Sequence, residues 1–190
     1  GGMAFHGGLV GVLLALWIFS RRAQVPFLAT TDLVCISVPQ GLFLGRIANF
    51  INGELWGKVT EVPWAVLFPR APVDFEKTVV VSEALGGPAN PRHPSQLYEA
   101  ALEGLVLALY LQLRFWLRKP GSEPPGQLAA EFLIGYGIAR IVGEIFRAPD
   151  APLILGLSRG IFYSLFMILA GAALLIALRK ARSGDSASGR

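Results

Sequence analysis

Hydrophobic residues fall in five long runs separated by polar or basic stretches, about Gly8 to Phe19, Phe27 to Phe50, Leu97 to Leu117, Leu128 to Phe146 and Ile161 to Leu178. Four of them approach the about 20 residues that a helix needs to cross a hydrocarbon core roughly 30 Å thick, and the first is short but extendable upstream. Between the second and third runs, Asn52 to Pro94 is rich in Pro and Gly and mixed in charge. That stretch predicts a loop region with short strands around Trp64–Phe68 and Thr78–Val81. The predicted fold is all-α: a polytopic helical membrane protein, with a membrane domain over residues 1–182 and its long loop at about 52–94. Residues 183–190 are small and polar and predict a disordered tail.

Composition agrees with the pattern. Of the 190 residues 53% are hydrophobic and only 16% charged, where soluble domains carry about 25% charge. The formal net charge of +4 would suggest nucleic acid in a soluble protein. Here the basic residues stand at run ends, as Arg21-Arg22, Arg114/Arg118/Lys119 and Arg179/Lys180/Arg182, and if the helices alternate these sets share one side. By the positive-inside rule that side is cytoplasmic, and no nucleic-acid partner is expected. The long loop and residues 1–7 then lie outside. One cysteine, Cys35, excludes a disulfide framework within the chain and reads as a small buried hydrophobe. The N-terminus has no Met and no basic segment ahead of an apolar run, so it is expected to begin within a longer protein rather than with a signal peptide.

Polar residues inside apolar runs carry the candidate chemistry. In the fourth run Tyr136, Arg140, Glu144 and Arg147 lie on one helix face. A charge at mid-bilayer costs about 2.5–3.5 kcal/mol on insertion scales, so such residues need partners or a cavity. Arg140 and Glu144 form an i, i+4 pair, and an interhelical salt bridge is the competing structural role. At the end of the second run Arg46 and Asn49 share a face and Asn52 and Glu54 follow; a snorkelling Arg is the plainer alternative. Gly41 and Gly45 predict close approach of another helix. Entering the third run, Gln96, Glu99 and Glu103 make a polar stripe behind Arg92, His93 and Pro94, with Tyr98 beside it. Ser95 lacks the Gly-x-Ser-x-Gly surround of a nucleophile and is better suited to capping or hydrogen bonding. His6 stands among glycines at the start of the first run. With two His and no HExxH-type spacing, neither a metal nor another cofactor is expected. Guanidiniums gathered at one membrane edge suit a phosphate, because the planar fork of Arg binds it bidentately.

The stretch Gly45–Gly57 resembles the Gly-Arg-x-x-Asn-Phe-x-Asn-x-Glu-x-x-Gly signature of the bacterial prolipoprotein diacylglyceryl transferases at every fixed position. Gly2–Gly8, Arg92–Glu99 and Tyr136–Arg147 are similar to three further blocks of that family, in the same order. Ser158-Arg159-Gly160-Ile161 departs from the family's Ser/Thr-Met-Gly-Gln, and Ala4 stands where Ser is common. The resemblance implies a seven-span enzyme of the bacterial inner membrane, of which five spans are visible here. Its active site would face the periplasm. Its partners would be phosphatidylglycerol and preprolipoprotein lipobox peptides, with a thioether and glycerol 1-phosphate as products. The expected catalytic residues are His6, Arg140 and Arg46, with His93 competing with His6 for the role of base. The expected substrate-binding residues are Arg46, Asn49, Glu54, Tyr136, Glu144, Arg147, His93, Gln96, Tyr98 and Glu99. Two other classes stay open: a phospholipid transporter or scramblase, against which no internal repeat is visible, and a structural membrane subunit assembled through buried ion pairs.

Overall fold

The computed structural model describes residues 5–119, 121–149 and 152–188; the side chains of residues 5, 6 and 184–188 lie outside that description. Each hydrophobic run is helical. Helix α1 (Phe5–Ala23) and α2 (Phe27–Ile51) precede the loop region, which holds β1 (Val66–Leu67), β2 (Val80–Ser82), β3 (Gly87–Ala89) and β4 (Pro91–Arg92). Next come α3 (Ser95–Glu99), a π-helical segment Ala100–Val106 and α4 (Leu107–Leu117), which run on as one span, and then α5 (Gln127–Phe146) and α6 (Arg159–Ser188). Among the described residues three helices are long and apolar enough to cross a membrane: Phe27–Ile51, Ser95–Leu117 and Arg159–Ser183. The backbone of α6 stays helical to Ser188, where the composition predicts a disordered tail.

Ile36, Leu107, Leu111, Leu128 and Phe132 form the buried core between α2, α4 and α5, with Cys35, Val38, Phe115, Leu133 and Tyr136 packed against it. Leu13, Leu14 and Trp17 of α1 and Phe166, Leu169 and Ile176 of α6 are exposed, as suits helices facing lipid. Lipid is as apolar as Leu, so helices associate through close packing and hydrogen bonds rather than hydrophobic burial. The close approach lies elsewhere than the spacing of small residues predicts. Among the described residues a Cβ on Gly41 or Gly45 would meet nothing within 4 Å, whereas one on Gly104 of the π segment would come within 2.7 Å of Phe43 Cα in α2. Helix α1 is tied to α2 by Ser20 Oγ donating to Thr30 Oγ1 at 3.1 Å. Bonds of that kind average about 0.6 kcal/mol in membranes, a weak tether.

Both predicted strands are present, Val66–Leu67 antiparallel to Pro91–Arg92 and Val80–Ser82 antiparallel to Gly87–Ala89. The partner strands β3 and β4 contain Pro88 and Pro91, which argue against a strand except at an edge, the position these two-stranded ribbons allow. Asn90 is buried and knits the loop: its Oδ1 accepts from the Asp74 amide at 2.7 Å, and its Nδ2 donates to the carbonyls of Asp74 and Thr78. The loop docks on the end of α5 through Lys58 N to Phe146 O (2.9 Å) and Ala148 N to Trp56 O (3.3 Å). Gly57 fits there only because it lacks a side chain, since a Cβ would sit 2.7 Å from the Phe146 carbonyl oxygen.

Candidate active site

Two buried carboxylates organise the loop end of the bundle. Glu99 closes α3 and Glu103 lies in the π segment; their side chains are 1% and 0% exposed. Short π-helical insertions often mark functional positions, because the wider turn redirects side chains that an α-helix would place elsewhere. From α2, Arg46 reaches both: Nη1 lies 2.9 Å from Glu99 Oε2, while Nε and Nη2 donate to Glu103 Oε2 at 3.1 and 2.8 Å. From α5, Arg140 approaches with Nη1 2.9 Å from Glu99 Oε1 and 3.4 Å from Glu103 Oε1. Arg147 Nη1 completes the set at 3.4 Å from Glu99. Gly143 allows α5 this close to α3, since a Cβ there would stand 3.0 Å from Glu99 Cγ.

Arg140 is also held from its own helix, with Nη2 2.8 Å from Glu144 Oε2. That oxygen has no aligned donor despite the short distance, so the contact is an ion pair rather than a directed hydrogen bond. Arg46, Arg140 and Arg147 therefore face Glu99, Glu103 and Glu144 in one cross-helix lattice of balanced formal charge. Removing one partner of such a buried pair costs about 3–5 kcal/mol, because the other is left uncompensated. Tyr136 lies one turn from Arg140, stacked on Phe132 with centroids 5.8 Å apart.

The loop supplies the rim. Gln96 Nε2 donates to the Glu54 carbonyl at 2.6 Å and Ser95 Oγ to that of Leu55 at 3.2 Å, so both brace the loop at the mouth of the lattice. Ser95 does not cap its helix. The Glu54 carboxylate is exposed and accepts from Asn52 Nδ2 at 3.4 Å; Asn49 is half-buried. Trp64 Nε1 donates to Tyr98 Oη at 2.7 Å, and that hydroxyl lies 3.3 Å from His93 Nδ1. The His93 and Tyr98 rings pack edge-on against Phe146, with centroids 5.3 and 5.2 Å away. Desolvation, helped by the charge of Lys58, lowers the His93 pKa below the usual imidazole value. At neutral pH the ring is uncharged. The Tyr98 hydroxyl, which accepts from Trp64 Nε1, is also the hydrogen-bonding neighbour of His93 Nδ1.

The structure thus joins Arg46, Glu99, Arg140, Glu144 and Arg147, and sets Gln96, Glu54, His93 and Tyr98 in the surrounding rim. The His6 side chain lies outside the described residues. Glu103 is the group that the sequence-based site set omits, although its i, i+4 relation to Glu99 is visible in the polar stripe. Among the described residues no group of three His, Cys, Asp or Glu is placed to hold a metal ion.

The sequence model of the prolipoprotein diacylglyceryl transferase family matches residues 1–177. The chain belongs to the prolipoprotein diacylglyceryl transferase family. It is 50% identical over 184 residues to a protein of Photorhabdus laumondii named phosphatidylglycerol–prolipoprotein diacylglyceryl transferase, covering 93% of this chain and 62% of that protein. Proteins of the same name from Idiomarina loihiensis (48% over 183 residues, 95% of this chain and 61% of the relative) and Burkholderia lata (46% over 204 residues, 99% and 68%) are similar to it. The chain spans about three fifths of the length of the first two. Within this diacylglyceryl transferase family chain, the signature stretch contributes Arg46 to the lattice and Gly57 to the docking of the loop, two jobs that a linear motif does not distinguish.

Proposed function

We propose that this chain carries the catalytic machinery of a phosphatidylglycerol–prolipoprotein diacylglyceryl transferase, acting on the lipobox cysteine of preprolipoproteins in the bacterial inner membrane with the loop end toward the periplasm. The observation that carries this reading is the lattice of Arg46, Arg140 and Arg147 on two buried carboxylates, in a chain of this family. A structural salt bridge would need one pair. Three guanidiniums held in fixed orientation suit a phosphodiester, whose charge grows when its ester bond breaks.

A base removes the thiol proton, since a free thiol with a pKa near 8.5 is only a few per cent thiolate at neutral pH. The sulfur attacks the glyceryl carbon bonded to the phosphate oxygen. A C–S bond forms, the C–O bond breaks, and its electron pair leaves on glycerol 1-phosphate, now a dianion. Arg46 and Arg140 hold that phosphate, and Glu144 together with Glu99 orients Arg140. Tyr136 and Arg147 line the substrate site, and Asn49 and Glu54 orient headgroup hydroxyls. Gln96 and Tyr98 support the rim, and Glu99 holds the arginines from behind. His6 is the preferred base, and His93, half-buried beside Tyr98, is its competitor.

The test is a mass assay with phosphatidylglycerol and a lipobox peptide, run on this chain and on a full-length protein containing it. The peptide gains a diacylglyceryl group and glycerol phosphate is released in equal amount. No mass gain with either protein overturns the assignment.

A further inference from the structure

A cavity of about 520 Å³ opens between the loop and the end of α5, beside the Arg–Glu lattice. Its charged lining is Lys58, Lys77, Arg92 and Arg147 against Glu54 and Asp74. Two of the cations are already answered: Lys77 Nζ lies 3.2 Å from Asp74 Oδ2, and Arg147 contacts Glu99. Arg92 and Lys58 are different. Arg92 is 6% exposed, and its guanidinium donates only to the carbonyls of Gly57 (3.2 Å) and Pro72 (2.8 Å). Its buried Nε has no hydrogen-bond partner among the described residues. Lys58 Nζ donates to the Ile145 carbonyl at 2.7 Å. Among the described residues neither cation lies within salt-bridge distance of a carboxylate.

A buried guanidinium with an unused donor is expensive unless something pairs with it. Desolvation lowers the Arg92 pKa from its ordinary value, and the charge of Asp74 offsets only part of that. Backbone carbonyls neutralise no charge. An anion in the cavity would meet the side chains of Arg92 and Lys58, both of which line it. Arg147 lines the cavity and also touches Glu99, so the cavity and the Arg–Glu lattice share one side chain.

We propose that this cavity is a second anion subsite, which binds a phosphate group through Arg92 and Lys58. Resting on the function proposed above, its occupant is the glycerol phosphate set free by the reaction, held beside the lattice on its way to water. The same phosphate chemistry could be presented by a lipid headgroup.

Titration calorimetry on the whole chain in phosphatidylcholine nanodiscs separates these sources, with glycerol 1-phosphate as the free ligand in one arm and phosphatidylglycerol built into the nanodiscs as its competitor in the other. Glycerol 1-phosphate is expected to bind, and Lys58→Met to weaken binding by about tenfold, the scale of one charge-assisted hydrogen bond. Arg92→Gln is expected to weaken it further. Because Arg92 braces the loop, Lys58→Met on the exposed rim decides the matter if Arg92→Gln fails to fold. Undiminished binding with phosphatidylglycerol present assigns the site to free phosphate, and competition sensitive to Lys58→Met assigns it to the headgroup. Absence of glycerol phosphate binding, or binding indifferent to Lys58→Met, overturns the proposal. Binding lost in Lys58→Met while the mass assay shows no transfer would sink the transferase function and leave the anion subsite standing.

Discussion

The two ends of the helix bundle both carry charge networks, built on different principles. At the end away from the loop, Asp32 of α2 is buried and directs both oxygens to the start of α5, accepting from Gly126 N at 2.9 Å and Ala129 N at 2.8 Å. It is an N-cap supplied by another helix, satisfying amides that would otherwise lack partners and placing negative charge at the positive end of the dipole. Gly126, at φ 97°, provides the left-handed turn that aims those amides. Beside it Arg114 binds Glu123 and Glu131 at 2.6 and 2.8 Å, partly exposed to solvent. Every main contact there ends a helix or ties two helix ends.

At the loop end, roughly 21 Å away if the 14 residues from Asp32 to Arg46 rise as an ideal helix, the carboxylates cap nothing. Glu99 and Glu103 lie within the rod Ser95–Leu117, and the groups they bind are guanidiniums. A network that satisfies backbone is explained by folding. One that holds three guanidiniums against three carboxylates is costly to assemble, and under the function proposed above it serves as a preorganised electrostatic site.

Substitutions should separate the two ends. The largest effect is expected for Arg140→Lys, which keeps the charge but not the fork bridging Glu99, Glu103 and Glu144. Transfer in the mass assay should fall by about 100-fold or more while the circular dichroism spectrum stays native; near-normal turnover would remove Arg140 from the site. Glu103→Gln comes next. It leaves Arg46 and Arg140 with one carboxylate fewer between them, and a detergent melt should register a loss of about 3 kcal/mol together with lost transfer. An unaltered melting curve would mean that the lattice is loosely held.

At the other end Asp32→Ala should cost about 1–2 kcal/mol, the scale of a helix cap, with transfer per folded molecule unchanged. Lost activity in a stable Asp32→Ala protein would erase the distinction between the ends. The smallest effect concerns His93. Its folded pKa lies below the unfolded value near 6.5, so the unfolded chain binds the proton more readily. Stability is full above pH 6.5 and declines as pH falls from there through the lower, folded pKa. Melting temperature measured from pH 7.5 to pH 5 should drop, and His93→Gln should flatten that part of the profile.

The hydrophobic runs, the basic residues at their ends and the spaced polar positions of α5 are local properties, legible because one helix turn or one membrane thickness defines them. For that reason the five helical runs, the two strands β1 and β2, and Arg46, Arg140 and Glu144 can all be read from the order of residues. Asp32 cannot, because its partners, the amides of Gly126 and Ala129, are nearly a hundred residues away and mark no motif. Arg92 can be read as part of a polar block, but its burial on folding, with the backbone carbonyls of Gly57 and Pro72 as its direct partners, cannot.

Membrane residence, helix positions and the set of charges available follow from the amino-acid sequence, because transfer into lipid is settled residue by residue. Which of those charges meet is a matter of tertiary structure. Salt bridges between α2, α3, the π segment and α5 depend on register and helix rotation, and so on close contacts such as Gly104 against Phe43 and Gly143 against Glu99. Those contacts turn a set of arginines and glutamates into a lattice at one end and a helix cap at the other.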